Sequence, residues 1–260
     1  MSGKKKLIIG CAAGVCILSA VIFIRGQYVL PIAMYHSVQP SVPGENRLIV
    51  STGVFERQMK FLKENNYSVL TLEQAADVIS RKIRGPRRAV VLTFDDGNLD
   101  NYTYAYPILK KYGLPATIFL VVNDIGKTDK LNWEQIREMK ESGLISFGSH
   151  SLNHPFLECI KSGSELVNEI NGSKAALEAA LGSPVDTFSY PCGRLNADVR
   201  QRVVDAGYKA AVVTNPGKKV VNDDIFALKR LRISENAGNI FVFWFETTGY
   251  YNLIRENRHK

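Results

Sequence analysis

Apolar positions along this chain follow two alternating spacings. Unbroken runs of strand-forming residues fall at 29–35, 67–70, 89–94, 116–122, 144–148, 187–190, 210–213 and 227–233. Between them, apolar residues recur every three or four positions. Phe55, Met59 and Leu62 do so just after Ser51 and Thr52, whose hydroxyls suit a helix N-cap. Helical spacing also holds over 71–83, 101–112, 133–141, 163–181 and 197–206, and Gly113 supplies a stop after the second of these. Residues 39–46, with two prolines and a glycine, read as a loop, and 240–245 form an apolar aromatic segment. Strands that are apolar throughout are buried on both faces, as in parallel sheets. Their alternation with helices predicts parallel strands joined by crossover helices. No repeat, low-complexity tract or glycine-rich phosphate loop interrupts the pattern.

The length of 260 residues suits one barrel-sized domain with an appendage. The appendage is N-terminal. Lys4, Lys5 and Lys6 precede an uncharged apolar run at 7–24, closed by Arg25. That run is just long enough to cross a bilayer. Leu18-Ser19-Ala20 offers a signal-cleavage site, so secretion after cleavage is the alternative. The run continues through Val21-Ile22-Phe23-Ile24, which favours an uncleaved single-pass anchor in the cell membrane. The lysines then stay cytoplasmic and the rest of the chain is extracytoplasmic.

Part of the net charge of +8 belongs to that anchor; the remaining basic clusters are at 81–88 and 229–232. They are solvated side chains or faces that attract anionic envelope polymers and lipid head groups. A nucleic-acid partner does not suit an anchored extracytoplasmic domain. Cys159 and Cys192 can pair or stay free, and so do not fix the redox compartment. Nothing in the sequence sets the oligomeric state.

The candidate chemistry begins where the run at 89–94 ends, in Asp95-Asp96-Gly97. Functional groups of α/β sheets and barrels gather at the C-terminal ends of strands. Successive strand residues point to opposite faces, so these carboxylates can serve one site only if the strand has ended. They then differ in environment, which allows one a ligand role and the other a basic one. An ordinary Asp-Asp-Gly turn is the plain alternative. His150 and His154 lie four apart in Ser149-His150-Ser151-Leu152-Asn153-His154-Pro155. Neutral imidazoles with a carboxylate suit zinc. Pro155 disfavours helix at His154, so a loop is expected there. Unrelated loop histidines are the alternative reading. Only four histidines exist, and His259 is penultimate, which leaves His36, His150 and His154 for chemistry.

Thr93-Phe94-Asp95-Asp96-Gly97 followed by His150-Ser151-x-x-His154-Pro155 resembles the polysaccharide deacetylase family, carbohydrate esterase family 4 or NodB-homology domains. The resemblance spans roughly residues 86–250. It implies an α/β fold, a distorted β/α barrel holding a divalent metal, usually zinc, that removes acetyl groups from N-acetylated sugars. It further implies Asp95 as the base and Asp96, His150 and His154 as metal ligands. Two family features are changed. The third motif, normally Arg-x-Pro-aromatic-Gly, reads Ser189-Tyr190-Pro191-Cys192-Gly193. Cys192 keeps the backbone N–H that would face the oxyanion, but the arginine that would position the base is lost, leaving the tuning of Asp95 in doubt. Arg194 is near in sequence without an assigned place. The late Leu-x-His that supplies the general acid is also missing, since 228–233 holds no histidine. Deacetylases of poly-N-acetylglucosamine resemble this chain in Met34-Tyr35-His36, and there the early histidine replaces the late one. This makes His36 the expected acid, with a core histidine as the alternative.

The expected organisation is residues 1–27 as basic tip and transmembrane helix, 28–85 as the part of the barrel carrying His36, and 86–260 as the NodB-homology domain. The expected activity is metal-dependent N-deacetylation of an N-acetylglucosamine-type envelope or exported polysaccharide. An inactive carbohydrate-binding module on the same fold, or an enzyme for another amide or ester, are the competing readings.

Overall fold

In the computed structural model, residues 3–26, 28–81, 83, 85, 86, 88–214 and 222–251 are described, with backbone alone for 3–13. Helix α1 is Gly3–Gly26. Strand β1 (Ile32–Tyr35) starts the barrel, and β2 (Ser37–Gln39) and β3 (Ile49–Ser51) form a small parallel pair after it. Helix α2 (Thr52–Glu64) is capped by Ser51 and buries Phe55, Met59 and Leu62, the positions its spacing predicted. Strand β4 (Ser68–Leu70) leads to α3 (Leu72–Ser80), which opens on a Thr71/Gln74 capping box. There follow β5 (Ala89–Phe94), α4 (Tyr106–Tyr112), β6 (Ala116–Leu120), α5 (Trp133–Glu141) and β7 (Ile145–Ser149). The last third contains α6 (Gly163–Val167), α7 (Ser173–Leu181), β8 (Thr187–Ser189), α8 (Ala197–Asp205) and β9 (Ala210–Val213). It ends with β10 (Leu228–Lys229), β11 (Leu231–Arg232) and α9 (Ile240–Glu246).

The main sheet is parallel throughout, in the order β10-β9-β8-β7-β6-β5-β1-β11, with β4 also paired to β5. Its two edges are consecutive in sequence. Leu228 and Lys229 pair with Val212 and Val213 of β9, and two residues later Leu231 and Arg232 pair with Ala33 and Met34 of β1. One bent segment thus bridges both edges, Arg230 is its corner, and the sheet becomes a nearly closed barrel. The expected run at 227–233 is split here because one straight strand cannot pair with both edges.

Alternation along β5 sorts the two sides of the barrel wall. Val90, Leu92 and Phe94 belong to the core beneath the helices, where Phe94 and Tyr35 stack and Phe55 meets both edge-on. Ala89 and Val91 join a second apolar cluster with Ile32, Ala210, Val212 and Leu228. Thr93 continues that inner face, and Asp95 follows just beyond the strand. The interior therefore turns from apolar to polar towards the C-terminal ends of the strands.

The helices expected over 101–112 and 163–181 each contain a π-helical turn, at Asn101–Ala105 and Asn168–Gly172. A π turn accommodates one extra residue and redirects the side chains around it. At the barrel's other end, the backbone of Val29 donates to Gly249 O at 2.9 Å. Among the described residues no helix is long and apolar enough to cross a membrane. The proposed anchor lies only partly within them, since side chains of 3–13 fall outside.

Candidate active site

Strand register fixes where the first carboxylates stand. Tyr35 is level with Phe94, and Asp95 N donates to Tyr35 O at 3.0 Å. Asp95 is thus the first residue past β5, adjacent to His36 at the end of β1. The chain then turns sharply: Asp96 has φ +72°, a conformation that costs an L residue about 1–3 kcal/mol. This turn resolves the geometric difficulty of two neighbouring acids, because the strand has ended and Asp96 need not point away. Ser151 (φ +66°), His154 (φ +59°) and Cys192 (φ +56°) share the left-handed conformation. Four of the six non-glycine residues with positive φ among those described therefore cluster around this one site.

Asp95 is buried, and its partner is Arg230. Arg230 Nη1 donates to Asp95 Oδ1 at 2.7 Å and Nη2 to Oδ2 at 2.6 Å, a bidentate pair. The guanidinium also donates to Ser189 Oγ at 3.0 Å, Thr93 Oγ1 at 3.2 Å and Val213 O at 3.2 Å. Ser189 Oγ in turn donates to Asp95 Oδ1 at 3.3 Å. Burial alone would raise the Asp95 pKa, but Arg230 and the nearby histidines outweigh it and hold the carboxyl well below its ordinary range. The doubt raised by Ser189 is removed by this arrangement. A cation does position Asp95; it comes from the seam at β10 and β11, and the small Ser189 leaves room for it. Arg194 has no part in this, since it stacks on Phe156 and pairs with Glu158. The sequence held one signal for Arg230. A strand-like run expected to be buried carried an arginine, and a buried guanidinium needs an anion.

Asp96, His150 and His154 meet beside that pair. Their donor atoms all lie within 4.8 Å of one another. The Nε2 atoms of His150 and His154 are 3.6 Å and 3.7 Å from the same Asp96 Oδ1. These distances are too long for hydrogen bonds and leave space for a cation between the groups. His150 Nδ1–H donates to Ser189 O at 2.7 Å, so the Nε2 lone pair faces the cluster. Burial lowers the His150 pKa more than Asp95 and Asp96 raise it, favouring the neutral ring. Two imidazoles and one carboxylate fit a divalent metal such as zinc. The expected loop at His154 is present, with His154 N donating to Ser151 Oγ at 3.0 Å.

His36 is the residue just past β1, which separates β5 from the last strand β11. Its carbonyl accepts from Asn98 Nδ2 at 3.2 Å and from Asn101 Nδ2 at 2.9 Å. Asn101 reaches it from the first π turn. Burial lowers the His36 pKa, while the charges of Asp95 and Asp96 partly offset that effect. Both carboxylates thus lie close enough to act on the ring. Cys192 sits in the 3₁₀ turn Pro191–Gly193. Burial raises its thiol pKa, and the charge of Asp96 adds to the rise. Gly193 (φ +67°) cannot be replaced without strain, since a Cβ there would lie 2.3 Å from Thr214 N. Cys159 and Cys192 are both free thiols.

A nearly closed parallel barrel with two histidines and an aspartate facing one another, next to an ion-paired buried carboxylate, describes a class of β/α-barrel hydrolase. The family description "Polysaccharide deacetylase" matches residues 82–211, and the chain belongs to this family. It is 36% identical to YxkH of Bacillus subtilis (strain 168) over 84% of this chain and 76% of that one. It is 30% identical to the poly-beta-1,6-N-acetyl-D-glucosamine N-deacetylase of Staphylococcus aureus (strain MSSA476), covering 72% of this chain and 69% of that one. Among solved structures it is similar to the Streptococcus pyogenes deacetylase PplD in complex with acetate. That likeness has a TM-score of 0.75 and 32% identity, covering 88% of this chain and 98% of that chain. His36 and Arg230 both fall outside the matched residues 82–211.

Proposed function

We propose that this polysaccharide deacetylase hydrolyses the N-acetyl groups of an N-acetylglucosamine-type polymer, using a divalent metal, most simply zinc, held by Asp96, His150 and His154. The observation that carries the reading is the convergence of those three donors beside a carboxylate already locked by Arg230. When bound, the metal polarises the amide carbonyl and makes a water acidic. Asp95 is the base that takes the water's proton. Because Arg230 keeps it ionised, it is available as a proton acceptor across the neutral range. Cys192 N–H donates to the oxyanion. His36 gives its proton to the leaving amine; its lowered pKa makes the imidazolium a stronger acid. Each proton-transfer group contributes about 10²–10⁴ in rate. No covalent acyl intermediate is involved. Acetate and the freed amine are the products, and PplD was solved with acetate bound.

We also propose that α1 anchors the chain in the cell membrane with the barrel outside. Val15, Ile17, Leu18, Ile22 and Phe23 are each at least 60% exposed, and such an apolar surface calls for lipid. The choice of polymer is supported by the 30% identity to the Staphylococcus aureus enzyme, whose name gives poly-beta-1,6-N-acetyl-D-glucosamine. The test is metal content together with acetate release from a short N-acetylglucosamine oligomer. Stoichiometric zinc and chelator-sensitive acetate release are expected. Metal without acetate release would favour the carbohydrate-binding module, and release from other amides or esters alone would favour the third reading.

A further inference from the structure

The loop that carries His154 is built on strained backbone, and something must hold it. Ser151 and His154 both have positive φ. On one side the loop is tied to the segment after β6: Val122 N donates to Ser151 O at 3.2 Å and Asn123 N to Leu152 O at 3.0 Å. On the other side lies the π turn Asn168–Gly172, and Glu169 projects from it into the loop. Glu169 is 5% exposed. Its Oε2 accepts from the backbone N–H of both Leu152 and Asn153, each at 3.0 Å, and its Oε1 accepts from Asn153 Nδ2 at 2.5 Å. Among the described residues no cation pairs with Glu169; its hydrogen bonds go to the two residues preceding His154.

The same turn approaches the loop closely elsewhere. A Cβ on Gly172 would lie 3.3 Å from Leu152 Cδ1 and 2.9 Å from Asn168 Oδ1. Just past the turn, Ser173 Oγ accepts from Ser149 Oγ at 2.8 Å, next to His150. An α-helix running straight through 168–172 would rotate these groups relative to the loop. The π turn is thus explained by what it presents.

We propose that Glu169 is a positioning residue for the metal site, fixing the 151–154 loop so that His154 Nε2 meets Asp96 and His150. The inference rests on the reading of those three residues as ligands. It predicts that Glu169 acts on metal affinity through His154. Outer-shell partners of metal ligands typically contribute about 10–100-fold in affinity. Glu169→Ala removes three acceptor bonds and should raise the zinc Kd by about that factor. Glu169→Gln can still accept from the two backbone N–H groups but presents an amide to Asn153 Nδ2, so its effect should be smaller.

The experiment is titration of the full-length apo-protein with zinc, read by calorimetry and by competition with a chromophoric chelator. It is run for the unmodified chain, Glu169→Ala, Glu169→Gln, His154→Ala and the Glu169→Gln/His154→Ala double variant. Positioning through His154 predicts that Glu169→Gln weakens binding when His154 is present and changes little when it is absent. An equal loss in both backgrounds would mean a general structural role and overturn the proposal. So would an unchanged Kd in Glu169→Gln, the variant that carries the test if Glu169→Ala fails to fold. An unmodified chain that binds no zinc would instead overturn the ligand reading itself.

Discussion

Replacing Arg230 with methionine removes five hydrogen bonds from a fully enclosed guanidinium, two of them to Asp95. Methionine fills much of the same volume, so the main loss is electrostatic. Asp95 would be left buried with Ser189 Oγ the only side-chain donor to it among the described residues. Breaking one side of a buried ion pair costs about 3–5 kcal/mol, because the remaining charge keeps its desolvation penalty. For a domain of this size, about 2–4 °C of Tm accompanies each kcal/mol, so the apo-protein should melt about 6–20 °C lower. Asp95 can relieve the penalty by taking up a proton, which removes the base, so kcat should fall by about 10²–10⁴. The sign can be checked against pH. Asp95 has a folded pKa below its unfolded value, so the stability it contributes is present above the unfolded pKa and lost as pH falls through the folded one. In Arg230→Met the carboxyl is held high instead, and the variant should be closest in stability to the unmodified chain in acid. Adding Asp95→Asn should restore much of the lost stability at neutral pH, since no charge remains to be paired, without restoring activity. Thermal and urea unfolding of the three proteins, with acetate release at saturating substrate, would test this. If Arg230→Met melts within a degree or two of the unmodified chain and retains its kcat, the assignment of Arg230 as the group that holds the base is wrong.

Three other outcomes follow from the site and the anchor. Asp96→Ala and His154→Ala should each lose stoichiometric zinc on elemental analysis, and full metal content in either would remove that residue from the ligand set. His36→Ala should keep its metal while kcat drops by about 10²–10⁴; undiminished turnover would send the search for the acid elsewhere. Carbonate extraction should leave the chain in the membrane pellet, whereas release into the supernatant would indicate a cleaved signal.

Much of this protein could be read from its sequence because its strands are short, buried and separated by well-capped helices. The helix over 133–141 and the strand over 210–213 appear with the bounds their patterns gave. Asp95, Asp96, His150 and His154 were legible because each sits in a local motif at a strand end. Arg230 was not, because its partner is remote in sequence. The strand-like run at 227–233 hinted at a buried cation, but it holds Lys229, Arg230 and Arg232, and only closure of the barrel singles out Arg230. The π turns escaped for a related reason. On either side of the extra residue the apolar spacing over 101–112 and 163–181 still reads as helical, so the pattern does not mark where the turn falls. What those turns do, presenting Asn101 to His36 and Glu169 to the 151–154 loop, is a tertiary effect.

The corner at Arg230 also bears on the order in which the protein can become active. The strand pair that closes the barrel joins β1, near the start of the chain, to β11, near its end. Contacts so remote in sequence form only after a large loop has been closed, and they limit the rate of folding in sheets of this kind. During vectorial synthesis, the motif around Asp95 emerges long before residue 230 does. Until then, Asp95 has no guanidinium to hold its charge, and burying it would be unfavourable. The chain has reason to keep this end of the barrel open and hydrated until its last strand arrives. Hydrolytic competence and completion of the fold would then coincide, and a chain truncated before Arg230 should be both unclosed and inert.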